Sequence, residues 1–145
     1  MSDLFNPYAS LYEIPKGPGD ARPTALRVLE DNDALGKWQG RVALVTGSTS
    51  GIGYETARAL HATGADVYLT ARDMQKGLDA AERIRSSSPG SGKLDVLLMD
   101  MDSLESVKAA AHTFLSRSDK LNILVNNAGM DSPPPSSHAR EPGAR

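Results

Sequence analysis

The chain has 145 residues, no cysteine and a net charge of −2, with both signs mixed along its length. A chain of this size can form one domain with a modest core. The lack of cysteine excludes disulfides, zinc thiolate sites and thiol catalysis, and the mixed charge offers no basic face for nucleic acid. No apolar run approaches the ~18 residues of a membrane span, and the N-terminus lacks a signal-peptide layout, so the sequence predicts a cytoplasmic protein.

Residues 1–38 are predicted to form an N-terminal extension ahead of the fold. Their prolines and glycines break any long helix, yet the segment carries more apolar residues than a pure linker would. We therefore expect the extension to lie partly ordered against the domain surface, with a partner-binding segment as the alternative. The pattern also allows a short helix over 24–35 with Thr24 as its N-cap.

The stretch that organises the rest of the chain is the apolar run Val42–Val45 and the residues that follow it, Thr46-Gly47-Ser48-Thr49-Ser50-Gly51-Ile52-Gly53. The run is typical of a buried strand, and helical periodicity follows it, so the glycines fall in a strand-to-helix turn. Gly47 permits the bend, Gly51 lets the backbone approach a pyrophosphate, and Gly53 lets the helix pack closely on the strand. Amides at the helix start favour an anion, and the missing Gly-Lys-Ser/Thr ending argues against a nucleoside-triphosphate P-loop.

Strands and helices alternate after this turn. Further strands are predicted at 67–70, 94–99 and 121–125, and helices at 51–63, 73–85 and 103–116. The buried faces of the last two helices are predicted to carry Met74, Leu78, Ala81 and Ile84, and Leu104, Val107, Ala111 and Phe114. Asp73 is expected to cap one of these helices, and Asp102 with Glu105 to form a capping box at the other. Right-handed crossovers then predict an α/β, Rossmann-like parallel sheet in the order 3-2-1-4, with helices on both faces.

The end of the second strand indicates which dinucleotide the fold would bind. At this position an acid holds the 2'-hydroxyl of NAD, and a nearby arginine accommodates the 2'-phosphate of NADP. Ala71 supplies no acid and Arg72 supplies a planar fork for phosphate, so the sequence favours NADP over NAD. A charge-assisted bond of about 1.5–3 kcal/mol corresponds to a preference of roughly ten- to a hundredfold. The alternative is that Arg72 is an ordinary surface arginine.

Two strings in this order resemble the short-chain dehydrogenase/reductase family: Thr46-Gly-x-x-x-Gly51-Ile52-Gly53 and, after the fourth strand, Asn126-Asn127-Ala128-Gly129. The resemblance implies that residues 39–130 are the cofactor-binding half of such an oxidoreductase. The cofactor-binding residues that it implies are Gly47, Ser48, Thr49, Ser50, Gly51, Ile52, Gly53, Arg72, Asp100, Asn127, Ala128 and Gly129. In the family the aspartate at Asp100 touches the adenine, although a capping role is the alternative. The Asn127 amide could tie adjacent strands together or hold a ribose.

The resemblance ends near Met130. Residues 131–145 are rich in proline and serine without hydrophobic periodicity, so a disordered tail is predicted. A complete family member continues with a catalytic serine and a helical Tyr-x-x-x-Lys pair. Tyr12 and Lys16 have that spacing, but Pro15 between them excludes a helix. The sequence therefore predicts a truncated NADP-dependent oxidoreductase with no catalytic residues, inactive on its own.

A non-catalytic protein that binds a nucleotide or a partner is the alternative function. The family's dimer interface is expected to be absent with the missing half, but an exposed fourth strand could pair with another chain. Beyond the dinucleotide, neither nucleic acid nor membrane is expected as a partner. No metal is expected either, because His61 and His112 lie on predicted helices without a ligand at i+4.

Overall fold

The computed structural model describes residues 7–129. A 3₁₀ turn, four α-helices and four strands follow one another in the chain. They are the turn Ala9–Tyr12, α1 Ala25–Asp31, β1 Val42–Val45, α2 Gly51–Ala62, β2 Asp66–Ala71, α3 Met74–Ser87, β3 Leu94–Leu98, α4 Leu104–Arg117 and β4 Ile123–Val125. The predicted disordered tail, 131–145, lies outside the described residues.

The four strands form one parallel sheet in the order β3-β2-β1-β4, which confirms the predicted fold class and strand order. Val45 pairs with Leu69 of β2 on one side and with Val125 of β4 on the other. Ala71 at the end of β2 pairs with Leu98 of β3. The carboxyl ends of all four strands therefore meet at one edge of the sheet, where open α/β sheets bind ligands.

Helices cover both faces of the sheet, and alternate strand residues belong to two separate cores. One core joins β1, β2 and β3 to α2 and α3 through Ala43, Val45, Ala57, Val67, Leu69, Ala71, Ala81, Ile84 and Val96. The other joins the opposite face to α4 through Val42, Tyr68, Leu97 and Phe114. This alternation arises because successive side chains along a strand point to opposite faces of the sheet.

Two predictions about helix faces and caps were wrong. Met74, Leu78 and Leu104 are 41%, 50% and 71% exposed, because α3 approaches the sheet through small residues such as Gly77 and Ala80 and Leu104 lies at the first turn of α4. Ala111 is exposed as well, whereas Ala81, Ile84 and Phe114 are buried as predicted. Ser103, and not Asp102, is the N-cap of α4, since its hydroxyl accepts a hydrogen bond from the Ser106 amide at 3.2 Å.

The other two predicted caps are confirmed. The Asp73 carboxylate accepts a bond from the Lys76 amide at 2.9 Å at the start of α3. The Thr24 hydroxyl accepts one from the Arg27 amide at the start of α1. Within residues 7–129, no helix combines the length and the apolar character needed to cross a membrane.

The segment ahead of β1 contacts the end of α2. The amides of Gly36 and Trp38 donate to the carbonyls of Ala62 and Thr63 at 3.0 and 2.7 Å. These carbonyls are among the last of α2, which have no partner within the helix. The extension thus supplies backbone donors that complete the end of the helix whose start forms the glycine turn.

Candidate functional site

A cleft of about 440 Å³ lies at the carboxyl edge of the sheet. Its lining comes from the ends of all four strands and consists of Gly47, Thr49, Ser50, Thr70, Ala71, Arg72, Met99, Asp100, Met101, Asp102, Asn127, Ala128 and Gly129. Eight of the residues that the sequence proposed as a site are among these. The two family-like strings, far apart in the chain, are therefore brought together in one cleft.

The turn between β1 and α2 requires glycine for two different reasons. Gly47 and Gly51 have φ of +63° and +58°, a conformation that residues with a Cβ rarely adopt. A Cβ on Gly47 would also stand 3.0 Å from the Cα of Ala128. The turn consequently lies close to the β4 loop, and its backbone is open where side chains would otherwise project.

Packing requires glycine at position 53, because a Cβ there would overlap the side-chain nitrogen of Asn127 and the carbonyl oxygen of Gly47. The first turn of α2 can approach both groups only if residue 53 is glycine. The sequence predicts that Gly53 allows close packing of the helix on the strand. The contact that requires it is with the turn and with the Asn127 side chain.

The start of α2 has no side-chain cap. Ser50 is the N-cap residue, but its hydroxyl forms no capping hydrogen bond. In α1, α3 and α4 the corresponding side chain, Thr24, Asp73 or Ser103, does accept one. The first amides of α2 and the positive end of its dipole are thus left for an anion in the cleft.

Four of the proposed site residues lie outside the cleft lining. They are Ser48, Gly51, Ile52 and Gly53. Ser48 is fully buried, and its hydroxyl donates to the Val45 carbonyl at 3.1 Å, so it holds the end of β1. Ile52 projects outward, with 81% of the residue exposed. Backbone groups at these positions, more than side chains, can therefore serve a ligand.

Two threonines that were not among the proposed site residues hold the loops of the cleft in place. The Thr46 hydroxyl accepts bonds from the amides of Asn127 and Ala128 at 3.0 and 2.9 Å. The Thr70 hydroxyl accepts one from the Gly47 amide at 3.1 Å. The sequence signals were the place of Thr46 at the start of a family-like string and a hydroxyl near the end of each strand, but the partners of these hydroxyls depend on which strands are neighbours.

Asn127 ties the β4 loop to the glycine turn. Its side-chain nitrogen donates to the carbonyls of Thr46 and Gly47 at 2.9 and 3.2 Å. Of the two roles that the sequence left open, the tie between adjacent strands is present in the structure. The ribose contact would use the remaining groups of this loop and stays a prediction.

The far side of the cleft combines an exposed cation with an acid. Arg72 follows β2, is exposed, and belongs to none of the ion pairs within residues 7–129. Asp100 follows β3, where its carboxylate accepts a bond from the Asp102 amide at 3.1 Å and its own amide donates to the Ser106 hydroxyl. Asp100 thus organises the β3 loop and still lines the cleft.

The Tyr12 and Lys16 pair lies apart from this cleft. The 3₁₀ turn ends at Tyr12, no helix spans the two residues, and neither lines the cleft. Among the described residues, no group of three His, Asp or Glu side chains is placed to hold a metal ion. The groups that the cleft does present, the uncapped start of α2 and the exposed Arg72, can bind an anion.

Comparison with known proteins gives a family match and several close relatives. The family model described as short chain dehydrogenase matches residues 41–142, which extends past residue 130, where the motifs end. A short-chain dehydrogenase/reductase of Penicillium rubens is 51% identical over 123 residues, covering 85% of this chain and 35% of the relative. A match of that length has to include part of the segment ahead of β1.

Two solved structures share the fold over about two thirds of the chain. A metagenomic short-chain oxidoreductase in complex with NADP has a TM-score of 0.59 and 35% identity, covering 65% of this chain and 41% of its own. The L-sorbose reductase of Gluconobacter frateurii, complexed with NADPH and L-sorbose, has a TM-score of 0.60 and 32% identity, covering 70% and 38%. The chain spans about a third of the length of the curated relatives it matches.

Proposed function

The chain belongs to the short-chain dehydrogenase family, and on that premise we propose that its cleft binds NADP as the cofactor half of an oxidoreductase. One observation carries the proposal. An uncapped helix start, a turn that requires glycine and an exposed arginine lie around a single cleft at the carboxyl edge of a parallel sheet. The helix start and the turn suit a diphosphate, and the arginine suits a further phosphate of the same ligand.

The residues present fit a dinucleotide. A Cβ on Gly51 would meet nothing within 4 Å, so the turn has open space beside its backbone for a diphosphate. Arg72 would take the 2'-phosphate and Asp100 the adenine side, while Asn127, Ala128 and Gly129 would lie along the nicotinamide-side ribose. The bound cofactor would supply the hydride that an oxidoreductase transfers.

The preference for NADP over NAD is supported at the end of β2. Ala71 has no carboxylate to accept a bond from a 2'-hydroxyl, and it is buried against α3 and β3. Arg72 has no carboxylate partner within residues 7–129, so its guanidinium is available for phosphate. The two structural relatives above were solved with NADP and NADPH, which agrees with this choice.

We further propose that these 145 residues bind the cofactor without turning over substrate. Carbonyl reduction needs a positioned proton donor, which in this family is the tyrosine of a helical Tyr-x-x-x-Lys pair. The chain has that spacing only at Tyr12 and Lys16, where the structure has no helix. We therefore expect no measurable NADPH oxidation by the isolated chain with simple carbonyls, and steady oxidation would contradict this.

The test of the function is a fluorescence titration of the full chain with NADPH and with NADH. We expect NADPH to bind roughly ten- to a hundredfold more tightly, and R72Q to remove that difference without weakening NADH. R85Q is the matched control, because Arg85 is an exposed arginine of α3 that pairs with Glu82 away from the cleft lining. Absence of binding by the wild-type chain would refute the function, and equal binding of both dinucleotides would refute the role of Arg72.

A second candidate function is binding of another protein chain without catalysis. Within the described residues β4 pairs only with β1, so its other edge exposes unpaired backbone groups. Leu121 and Leu124 beside this edge are 41% and 53% exposed. Since the net charge of −2 opposes self-association only weakly, we propose a second copy of this chain as the occupant. Sedimentation of a concentration-independent monomer would contradict this candidate.

A further inference from the structure

Arg83 reaches from α3 to the glycine turn and holds it at two points. Its Nη2 donates to the carbonyl oxygen of Thr49 at 3.0 Å. Its guanidinium carbon lies 4.7 Å from the centre of the Tyr54 ring, a cation–π arrangement. Thr49 precedes Gly51 and Tyr54 follows Gly53, so the contacts bracket the start of α2. One side chain therefore fixes both ends of the turn from outside.

The bond to Thr49 also orients the next amide. The carbonyl of Thr49 and the N–H of Ser50 belong to one planar trans peptide, in which the two groups point in opposite directions. Thr49 and Ser50 line the cleft, whereas Arg83 and Tyr54 do not. With the carbonyl held by Arg83, the Ser50 N–H points away from the Arg83 guanidinium, and Ser50 itself lines the cleft. A rotated peptide would present the carbonyl, which repels an anion.

The charge of Arg83 is not neutralised nearby. Arg58 and Arg85 each pair with a glutamate three residues earlier, but Arg83 belongs to none of the ion pairs of residues 7–129. A guanidinium stays charged at any physiological pH and forms bonds in a fixed plane. It can therefore hold a carbonyl and a ring at once, which a lysine does less well.

We propose that Arg83 is a positioning residue for the diphosphate, acting through the Thr49–Ser50 peptide without touching the ligand. This inference rests on the proposed binding of a dinucleotide in the cleft. It predicts a contribution common to every ligand that carries the diphosphate, in contrast to Arg72, whose contribution depends on the 2'-phosphate. The two arginines can thus be separated by the choice of ligand.

The experiment compares three ligands against R83M in the full chain. NADPH carries both the diphosphate and the 2'-phosphate, NADH carries only the diphosphate, and adenosine 2'-monophosphate carries only the 2'-phosphate. Fluorescence titration measures the first two, and ligand-observed NMR measures the third. We expect R83M to lower the affinity for NADPH and the affinity for NADH by the same factor, about tenfold. This is the loss expected when one hydrogen bond to a charged group is misdirected. The affinity of R83M for adenosine 2'-monophosphate should equal that of the wild-type chain.

Control variants separate this role from a general loss of structure. R85M removes one positive charge from the same helix and should leave the affinity for all three ligands unchanged. R83K keeps the charge and one donor, so it should restore affinity to within about threefold of the wild-type chain. If R83M fails to fold, Y54L serves in its place, because it removes the ring but keeps the bond from Arg83 to Thr49. Y54L should lower the affinity for NADPH and NADH but not the affinity for adenosine 2'-monophosphate.

Three outcomes would overturn the role of Arg83. They are unchanged affinity of R83M for NADH, a loss confined to NADPH and adenosine 2'-monophosphate, and an equal loss in R85M. The second would mean that Arg83 contacts the 2'-phosphate itself. A wild-type chain that binds neither dinucleotide would instead refute the proposed function, so the two failures are distinguishable.

Discussion

The side-chain nitrogen of Asn127 lies where a Cβ on Gly53 would stand. The two residues come from the β4 loop and the first turn of α2, and each belongs to one of the strings that resemble the family. The same nitrogen donates to the carbonyls of Thr46 and Gly47. Gly53 and Asn127 are therefore one unit, in which the glycine makes room for the amide that ties the two loops together.

G53A is expected to lower the free energy of unfolding by about 1–3 kcal/mol, the usual cost of overpacking. The added methyl would overlap the Gly47 carbonyl, which is backbone and cannot rotate away, as well as the Asn127 amide. Urea unfolding monitored by circular dichroism measures the change. Alanine would normally stabilise a helix relative to glycine, so a stabilised G53A would contradict the packing described here.

Gly129 provides the matched control. It lies two residues after Asn127, and a Cβ there would find its nearest neighbour at 4.0 Å. We expect G129A to change the stability by no more than about 0.5 kcal/mol. If both alanine variants lost stability equally, the effect would belong to the loops in general and not to the Gly53–Asn127 contact.

The Thr46 hydroxyl is expected to contribute more to stability than its methyl group. T46V keeps the shape of the side chain but removes the acceptor of the Ala128 amide and one of the two acceptors of the Asn127 amide, which also donates to the Val125 carbonyl. An unsatisfied donor costs about 1–3 kcal/mol when buried, and the Ala128 amide is half-buried, so we expect a loss of about 1–2 kcal/mol in urea unfolding. T46S retains the hydroxyl and should lose under about 1 kcal/mol. Equal losses in both variants would show that the methyl packing is what matters.

The strand order and the convergence of the two strings were predictable from sequence. A β-branched run before a glycine turn, and repeated strand–helix alternation, leave few ways to build a parallel sheet with right-handed crossovers. The position of the cleft follows, because the carboxyl ends of parallel strands meet at one edge. Thus the side chains of Arg72, Asp100 and Asn127 were expected at one edge, and all three line the cleft.

The buried face of α3 was not predictable from apolar spacing alone. Spacing gives weight to large side chains such as Met74 and Leu78, but these are partly exposed. The residues that face the sheet include Ala81 and Ile84, as predicted, and also Gly77 and Ala80, whose small size lets the helix approach closely. Whether a stripe of small residues or of large ones faces the core depends on the helix–sheet distance, which the sequence of one helix does not encode.

The supporting hydroxyls were missed for a similar reason. Thr46 appears in the sequence only as the first residue of a family-like string and Thr70 as an ordinary strand residue, and their hydrogen-bonding roles arise only when β4 and β2 flank β1. The Thr70 hydroxyl accepts a bond from Gly47, a residue 23 positions away. Such contacts are set by the register between strands, which the pattern along one strand leaves open.

At Gly77, helix propensity and core packing have opposite effects on the stability of an alanine variant. Alanine in a helix is favoured over glycine by about 0.5–1 kcal/mol. A Cβ at this position, however, would lie 2.5 Å from Cγ1 of Val96 and 3.0 Å from the Cβ of Ala71. Valine has few rotamers, so overpacking at about 1–3 kcal/mol should win and G77A should be destabilised.

Urea unfolding of G77A tests this balance, with D79A as the control. Asp79 is exposed on the same helix, where it accepts a bond from Gln75, so its replacement reports propensity with little packing. We expect D79A to lie within about 0.5 kcal/mol of the wild-type chain. A G77A variant as stable as D79A would show that α3 can move away from β3.

His61 is expected to make stability depend on pH in the acidic range. The residue is 2% exposed, and its Nε2 lies 3.0 Å from the Gly92 carbonyl, which can only accept. Nε2 therefore carries the proton, and Nδ1, 3.0 Å from the Ser88 hydroxyl, accepts in the neutral ring. The ring thus fastens the loop after α3 to the end of α2.

Burial lowers the pKa of His61 from its ordinary value of 6.5, and the positive charge of Arg85 adds to this. The Gly92 carbonyl and Asp66 of β2 act in the opposite direction, but the pKa stays lowered. The unfolded chain then binds a proton near pH 6.5 that the folded chain does not. Stability should be full above that value and fall as the pH drops toward the lower folded pKa, by at most about 1.4 kcal/mol per pH unit.

Urea unfolding between pH 5 and pH 8 measures this slope, and two histidine variants assign it. H61Q should be less stable at pH 8, because the bonds to Ser88 and Gly92 are disturbed, but its stability should change less between pH 6.5 and pH 5. His112 is exposed on α4, so H112Q should keep the slope of the wild-type chain. A slope that persists in H61Q, or that disappears in H112Q, would mean that the proton is taken up elsewhere.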